Sequence, residues 1–450
     1  MTTLNGTQYG SDLEPPSWSE SLWYVGGHGS YFLAMGMQSV VYPYLVTFIL
    51  HMQASWIGIA QMFTLLPMFG LVLFGGVTAD RAELRMHLIR LQLLAAMPML
   101  TLATLVLSGK VTYALLVACG TATGCVSAFV MPARDSLLSR VALRSPGGDI
   151  QQTVTIVTGI QFGAQLIGIL IGREAPQLSD QWGRLMGSPS PAIGAGFVLL
   201  AIVLSLGAAA FCTSNVRPAP PSVRAARPSE PAWRRNLRDI LEGLREVRQS
   251  ERMMPVVTLM FFGGLFLMGV FSVHLQVLVR DVYGRNIGDY SAIMMAFMIG
   301  VTTTTTILSR VSKSIVRQGR MMMLSFLGGA VVMGVVYTEP ALWTLYLLLF
   351  FWGCTAGVSM SMSRAIVQEA ARESHRARIM SVFQLGFLGG APIGSLVMGL
   401  FTTAVGPIKA ALLPMIGIIV VWIGLFFLTD LWHLSRQPKS NSSELPNLSS

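Results

Sequence analysis

Long apolar runs recur along the whole chain and constrain its fold more than any other feature. A helix needs about 20 apolar residues to cross the hydrocarbon core of a bilayer. Twelve runs near that length cover residues 29–50, 56–79, 88–108, 112–132, 152–172, 191–212, 255–279, 289–309, 321–338, 342–362, 379–403 and 410–430. Only 12% of the residues are charged, against about 25% in an average soluble domain. The pattern predicts an all-α membrane protein with 12 transmembrane helices.

Lysine and arginine are distributed unevenly between the loops. If both termini face the cytoplasm, 25 of the 31 basic residues lie in cytoplasmic segments and 6 lie on the other side. Cytoplasmic loops of membrane proteins carry such an excess. The count therefore predicts that both termini are cytoplasmic. The same topology accounts for the net charge of +10, so we do not expect nucleic acid as a partner.

The apolar runs also divide the chain into segments. We expect a cytoplasmic N-terminal segment (1–28), a six-helix bundle (29–212), a cytoplasmic linker (213–254), a second six-helix bundle (255–430) and a disordered cytoplasmic tail (431–450). One helical face of the linker collects Trp233, Leu237, Leu241, Leu244 and Val247. Such a helix either lies on the membrane surface or joins the two bundles in solvent.

Similar segments recur about 230 residues apart. Ala79-Asp80-Arg81 ends the second span, and Leu308-Ser309-Arg310 ends the eighth, 229 residues later. Arg134 follows the fourth span and Arg364 follows the tenth, at an offset of 230. The offset contains six spans, an even number, so equivalent helices cross the membrane in the same direction. This predicts two bundles related by a pseudo-two-fold axis along the membrane normal, a known architecture among transporters.

The loop between spans 2 and 3 reads Gly76-Val-Thr-Ala-Asp80-Arg81-Ala-Glu83-Leu-Arg85. We expect Gly76 to permit a close helix contact. Asp80 stands where the second span reaches the cytoplasm, and acidic residues beside the spans are scarce in this chain. A carboxylate there can pair with an arginine or cap a neighbouring helix, which favours a gating role. The alternative is ordinary loop charge that follows topology.

This loop resembles the signature of the major facilitator superfamily, G-x-x-x-D-R-x-G-R-R/K, with Glu83 in the place of the second glycine. Three further segments resemble its enterobactin-exporter-like and drug-efflux-like branch: Met131-Pro-Ala-Arg134, Val367-Gln-Glu-Ala370 and Leu388-Gly-Gly-Ala-Pro392-Ile-Gly394. The resemblance covers about residues 30–430. It implies export of a small organic molecule, such as a siderophore or a lipophilic drug, across a bacterial inner membrane.

In that family the aspartate of the second span is thought to latch the two halves on the inner side. The resemblance gives this role to Asp80, with Arg134 and Arg364 as candidate partners. The full set of predicted gating residues is Gly76, Asp80, Arg81, Arg85, Arg134, Arg310 and Arg364.

Polar and aromatic residues deep within the spans are candidates for a substrate cavity. They are Gln38, Tyr42, Gln61, Gln161, Gln165, Thr303, Trp352 and Gln384. Gln161 and Gln165 are four residues apart and share a helical face. Buried amides need hydrogen-bond partners, which either neighbouring helices or a ligand can supply. As a set they predict a mostly apolar cavity for an amphipathic or aromatic molecule.

Glycine and proline are frequent in spans 5 and 11. The candidates for hinges or close helix packing are Gly163, Gly168, Gly390, Pro392 and Gly394. Small residues allow membrane helices to approach closely, so packing alone explains them as well. The superfamily's export motif on span 5 includes a proline, which this sequence lacks there.

Proton coupling usually requires an ionisable group within the membrane. No Asp or Glu lies near the middle of a predicted span. His28 and His274 can titrate near neutral pH, although a hydrogen-bonded histidine at the interface is the simpler interpretation. We expect a monomeric antiporter driven by the proton gradient, with small-molecule substrate, lipid and protons as partners. Import on the same fold and a non-transporting receptor are the alternatives.

Motifs for catalysis are missing from the sequence. It has no nucleophile–base set, no cluster of metal ligands and no glycine-rich phosphate loop. We therefore expect neither enzymatic activity nor a cofactor or metal.

Overall fold

The computed structural model describes residues 18–144, 150–186, 191–218, 232–311, 315–371 and 376–435. All regular structure within these residues is helical. The α-helices are α1 (Trp18–Pro43), α2 (Ala54–Arg81), α3 (Leu84–Leu107), α4 (Tyr113–Arg144), α5 (Ile150–Arg173), α6 (Ala175–Met186), α7 (Ile193–Ser214), α8 (Ala232–Gln249), α9 (Met253–Gly269), α10 (Leu275–Val277), α11 (Ile287–Val311), α12 (Gln318–Val336), α13 (Leu342–Ala370), α14 (Arg376–Val405), α15 (Pro407–Ala410) and α16 (Leu412–Leu428).

Twelve of the helical stretches are long and apolar enough to cross a membrane, which confirms the predicted number. The protein is therefore an integral multi-pass membrane protein. Because twelve is even, α1 begins and α16 finishes at the same end of the molecule, here called the near end; the opposite end is the far end. The first helix begins at Trp18, before the predicted start at residue 29, and the short helix α6 was not predicted.

The helix packing repeats between the two halves. In the first half α1 packs on α5, α2 on α4, and α3 on α7; in the second half the equivalent pairs are α9 with α14, α11 with α13, and α12 with α16. The two halves contact each other through α2 with α14 and through α5 with α11. These two contacts are themselves equivalent under the repeat. The predicted pseudo-two-fold arrangement of two six-helix bundles is thereby confirmed.

Glycines lie at close helix contacts inside each bundle. A Cβ at Gly168 would collide with the backbone of Leu33 on α1, and one at Gly394 would collide with the backbone of Leu265 on α9. Lipid gives no hydrophobic force between helices, so close backbone approach through small residues holds them together. The seams α1–α5 and α9–α14 therefore depend on glycine at equivalent places.

The described parts of the linker and of the tail lie at the near end. The helix α8 occupies the segment predicted to be amphipathic and packs on α9 and α14. Val247 is buried there, whereas Leu241 and Leu244 from the same predicted face are exposed. The start of the predicted tail is packed too: Leu431 and Leu434 are buried, and the amide of Gly319 on α12 donates to the carbonyl of Leu434. Residues 1–17 and 436–450 lie outside the described residues.

Candidate functional site

The two bundles join at the far end, where α1 and α9 each continue as a π-helix. These segments are Tyr44–Ile49 after α1 and Val270–His274 and Leu278–Val282 around α10. The hydroxyl of Thr47 donates a 2.8 Å hydrogen bond to Oε1 of Gln276, and both residues are fully buried. They are 229 residues apart, which is the offset of the repeat. Equivalent positions of the two bundles therefore meet at the pseudo-two-fold axis.

Arg280 strengthens this junction. Its Nη1 donates to the backbone carbonyls of Thr47 and Met52, each at 2.8 Å. Its Nε and Nη2 pair with the carboxylate of Asp281 at 2.6 and 3.0 Å. The carbonyls at the C-terminal end of a helix have no intrahelical partner and carry partial negative charge. The guanidinium thus ties the far end of the first bundle to the second.

A glycine seam between α2 and α14 extends the junction. Gly58 packs against the backbone of Ser395, and Gly399 packs against the backbone of Ala54. The amide of Ser55 donates to the hydroxyl of Thr403 at 2.8 Å. The hydrogen bonds that join described residues of the two bundles all lie at the far end.

The loop predicted to form a gate lies at the near end. Glu83 is the N-cap of α3, and its carboxylate accepts from the amides of Arg85 and Met86 at 3.0 and 2.8 Å. Arg85 donates to the carbonyls of Ser214 and Val216 at 3.4 and 3.3 Å, at the end of α7. The substitution of the signature glycine by Glu83 thus has a local role, because an acidic cap satisfies free amides at a helix start. Arg85 binds within its own bundle.

Gly76 does not make the close contact that its position suggested. No heavy atom lies within 4 Å of a Cβ built on Gly76, whereas one built on Gly75 would collide with the carbonyl of Ala128 on α4. The helical face that packs on α4 is one residue away from the predicted one. The side chains of Asp80 and Arg81 lie outside the described residues.

Arg134 is buried inside the first bundle. Its guanidinium carbon lies 4.5 Å from the ring centre of Phe32 and 5.5 Å from that of Tyr31, both on α1. Nη2 contacts Oδ1 of Asp135 at 3.3 Å. Arg310 and Arg364, the other predicted gating arginines, are exposed. Arg134 and its repeat equivalent Arg364 therefore differ in burial.

Two further polar side chains of α1 lie beside Arg134. Tyr24 and His28 are 4% and 6% exposed, with ring centres 5.9 Å apart, and the His28 ring lies 4.9 Å from Phe32. Both rings are within electrostatic reach of the guanidinium. His274, in the second bundle, is different: its Nε2 is hydrogen-bonded to the carbonyl of Pro407 at 2.7 Å.

The predicted cavity residues differ in burial and in their contacts. Tyr42 is buried between helices, and Thr64 donates to its hydroxyl at 3.4 Å. Trp352 is buried on the opposite bundle, with its ring centre 4.6 Å from Phe271 and 5.9 Å from Phe297. The remaining six are half-buried or exposed: Gln38, Gln61, Gln161 and Gln165 are half-buried, and Thr303 and Gln384 are exposed.

The predicted hinge residues divide into two groups. A Cβ on Gly168, Gly390 or Gly394 would meet backbone atoms of a neighbouring helix, which is the packing alternative. Gly163 has no atom within 4 Å of such a Cβ. Pro392 lies inside α14, which continues through it to Val405.

Sequence reasoning missed the three residues of the far-end junction, Thr47, Gln276 and Arg280. Their only signal was the repeat itself. Positions one repeat offset apart on the first helix of each bundle can meet at the axis, and Thr47 and Gln276 satisfy this condition.

Comparisons with known proteins agree with this architecture. The family model of the Major Facilitator Superfamily matches residues 25–371 and 283–448. No curated protein matches the chain. A mutant of the nucleoside transporter NupG aligns with a TM-score of 0.69 at 14% identity, covering 91% of this chain and 99% of its own. A POT family transporter in complex with 5-aminolevulinic acid aligns with a TM-score of 0.67 at 14% identity, covering 94% of this chain and 98% of its own.

A bacterial homologue of the human lysosomal transporter Spinster, in an inward-facing and unoccupied conformation, also shares the fold. It aligns with a TM-score of 0.66 at 10% identity, covering 92% of this chain and 95% of its own. At such identities these likenesses establish the fold and nothing about the solute.

Proposed function

Since the chain belongs to the Major Facilitator Superfamily, we propose that this membrane transporter exports a small organic molecule by alternating access. In this mechanism the two bundles rock about a central site, so that the path opens to one side at a time. The predicted solute is a siderophore or a lipophilic drug-like compound, and the predicted driving force is the proton gradient.

The far-end junction is the observation that supports alternating access. Thr47 and Gln276 join equivalent positions of the two bundles, and Arg280 adds two bonds to backbone carbonyls. No described pair of residues gives such a hydrogen bond at the near end. A structure joined at one end corresponds to one of the two states that alternating access requires. With cytoplasmic termini, as the basic loops predict, this state faces the cytoplasm, where an exporter collects its solute.

Cross-linking the junction tests the mechanism. In a variant without the four native cysteines, Thr47→Cys and Gln276→Cys introduce a pair at the axis. Oxidation should lock the far end and abolish transport, and reduction should restore it, because the far end must open in every cycle. The two single-cysteine variants, treated in the same way, are the controls. Full transport by the cross-linked protein would exclude alternating access through this junction.

The direction of transport requires a separate assay. Cells with and without the protein are loaded with a panel of fluorescent lipophilic dyes and siderophores, and retention is followed in both strains. Export predicts higher retention without the protein, and loss of the difference when the proton gradient is collapsed. Higher retention in cells that carry the protein would instead establish import, the alternative on the same fold. Equal retention across the panel would contradict export of these compounds.

A further inference from the structure

The first bundle holds a buried cation whose hydrogen-bonding capacity is largely unused. Arg134 is 7% exposed and lies within the membrane-spanning part of α4. Of its three nitrogens, Nη2 contacts Asp135 at 3.3 Å, whereas Nε and Nη1 have no hydrogen-bond partner among the described residues. An arginine presents five N–H donors in a fixed fork. Leaving such donors unpaired away from water is costly, and charged residues within spans generally mark solute or ion pathways.

More unpaired polar atoms of α1 lie beside this guanidinium. The Tyr24 hydroxyl and both ring nitrogens of His28 are buried and lack a well-formed hydrogen bond in the described part of the chain. Gln161 of α5 lies next to the imidazole and is half-buried. Tyr24 and His28 are four residues apart, so they share one face of α1. The cluster of Arg134, Tyr24 and His28 thus spans about one turn of α1 and one position of α4.

The cluster is rich in donors. Arg134 offers N–H groups without an acceptor function, Tyr24 offers a hydroxyl, and a neutral imidazole offers one N–H. Two carboxylates adjacent in sequence to the cluster residues are already engaged: Asp135 contacts Nη2 of Arg134, and Glu20, four residues before Tyr24, accepts from the amide of Arg217 at 3.1 Å. Phe32 and Tyr31 orient the guanidinium plane by cation–π contact. A fixed fork of unpaired donors fits a planar oxyanion bound through two oxygens.

We propose that Arg134, Tyr24 and His28 bind a carboxylate group of the transported molecule. This inference rests on the proposed transport function and adds that the solute is an organic acid. The cluster lies in the near-end half of α1, so a solute entering from the near end reaches it without crossing the far-end junction. The aromatic side chains around Arg134 suit an apolar or aromatic body attached to that carboxylate.

The second bundle provides a matched control. Arg364 is the repeat equivalent of Arg134 but is exposed. The positions equivalent to Tyr31 and Phe32 at the 230-residue offset are Phe261 and Phe262, and the Phe262 ring stacks on Phe266 rather than on an arginine. Removing the charge of Arg364 therefore changes net charge by the same amount without touching the cluster.

The test uses the purified full-length protein in nanodiscs of phosphatidylcholine. Acetate, benzoate and inorganic phosphate are titrated at constant ionic strength against chloride, with benzamide as the neutral counterpart of benzoate. Binding is followed by calorimetry and by the shift in melting temperature. We expect benzoate to bind at least tenfold more tightly than benzamide. Arg134→Gln should remove that difference, Arg134→Lys should retain part of it, and Arg364→Gln should leave it unchanged.

A second variant protects the test from misfolding. Tyr24→Phe removes one hydroxyl and keeps the aromatic packing, so it should fold normally and lower benzoate affinity severalfold without changing benzamide binding. Equal affinity for benzoate and benzamide in the unmodified protein would overturn the proposal. Equal losses in Arg134→Gln and Arg364→Gln would also overturn it, as would binding of phosphate without binding of either carboxylate.

Anionic lipid is a competing source of an oxyanion. If nanodiscs containing phosphatidylglycerol abolish benzoate binding in the unmodified protein, the occupant is a headgroup, and the assignment to the solute is wrong. These outcomes are independent of the cross-linking result. If the protein does not bind carboxylates, alternating access can still hold. If the cross-linked protein still transports, the result for carboxylate binding is unaffected.

Discussion

The two bundles are alike in their backbones and differ in the chemistry of their side chains. The pair α1–α5 packs through Gly168, and the pair α9–α14 packs through Gly394, each against the backbone of the partner helix. In contrast, Arg134 is buried against aromatic rings, whereas its equivalent Arg364 is exposed. The histidines differ as well, because His274 is hydrogen-bonded to Pro407 and His28 has no such anchor among the described residues.

This difference separates two requirements of a transporter of this type. Rocking of two bundles requires rigid bodies, and close glycine packing supplies rigidity equally to both. Recognition of an asymmetric solute requires different chemical groups in the two bundles. Side chains that differ between the two repeats meet this requirement. The symmetric contacts should therefore control stability in both bundles alike, while the asymmetric cluster should control affinity from one side.

The largest expected effect comes from filling the glycine seams. In Gly168→Val and Gly394→Val the new side chain collides with backbone that cannot move aside. Each should lower the free energy of unfolding by about 3 kcal/mol, the upper part of the usual range for overpacking. Unfolding in mixed detergent micelles measures it. Gly163→Ala, placed in open space, is the control and should change stability by less than about 1 kcal/mol. A large loss of stability in only one of the two valine variants would show that the two seams are not equivalent.

A smaller effect separates contacts within a bundle from contacts between bundles. Arg85 and Arg280 both donate to two backbone carbonyls, but those of Arg280 belong to the other bundle. Hydrogen bonds to charged groups contribute about 1.5–3 kcal/mol. Arg280→Gln should therefore open the far end about tenfold more often, measured as maleimide labelling of Ala54→Cys, which is buried at the seam. Arg85→Gln should lower stability without changing labelling. Equal labelling in both variants would contradict the assignment of Arg280 to the junction.

The sequence predicted the fold well because lipid leaves few alternatives. A backbone in hydrocarbon must satisfy its own polar groups, so hydropathy locates the helices, and an offset across six spans determines that the repeat is parallel. The gating and cavity positions are harder to predict, because they depend on the direction of individual side chains. Gly76 and Gly75 differ by one residue and therefore by about 100° around the helix, and Gly75 makes the contact.

The surroundings of the arginines could not be predicted for the same reason. Arg134 and Arg364 occupy equivalent places in the sequence, and periodicity cannot distinguish a guanidinium that turns into the bundle from one that turns outward. The far-end junction depends on the π-helical segments that follow α1 and α9, and amino-acid composition does not reveal a π-helical turn. The repeat offset of 229 between Thr47 and Gln276 was nonetheless present in the sequence.

Distances between spin labels test the rocking of two rigid bundles most directly. Exposed labels at Lys110 and Glu339 report the separation of the bundles at the far end, and labels at Met86 and Gln368 report it at the near end. Pulsed electron spin resonance in nanodiscs, with and without a transported solute, should show the far-end distance lengthening while the near-end distance shortens. Two distances that stay fixed, or that lengthen together, would contradict alternating access by these two bundles.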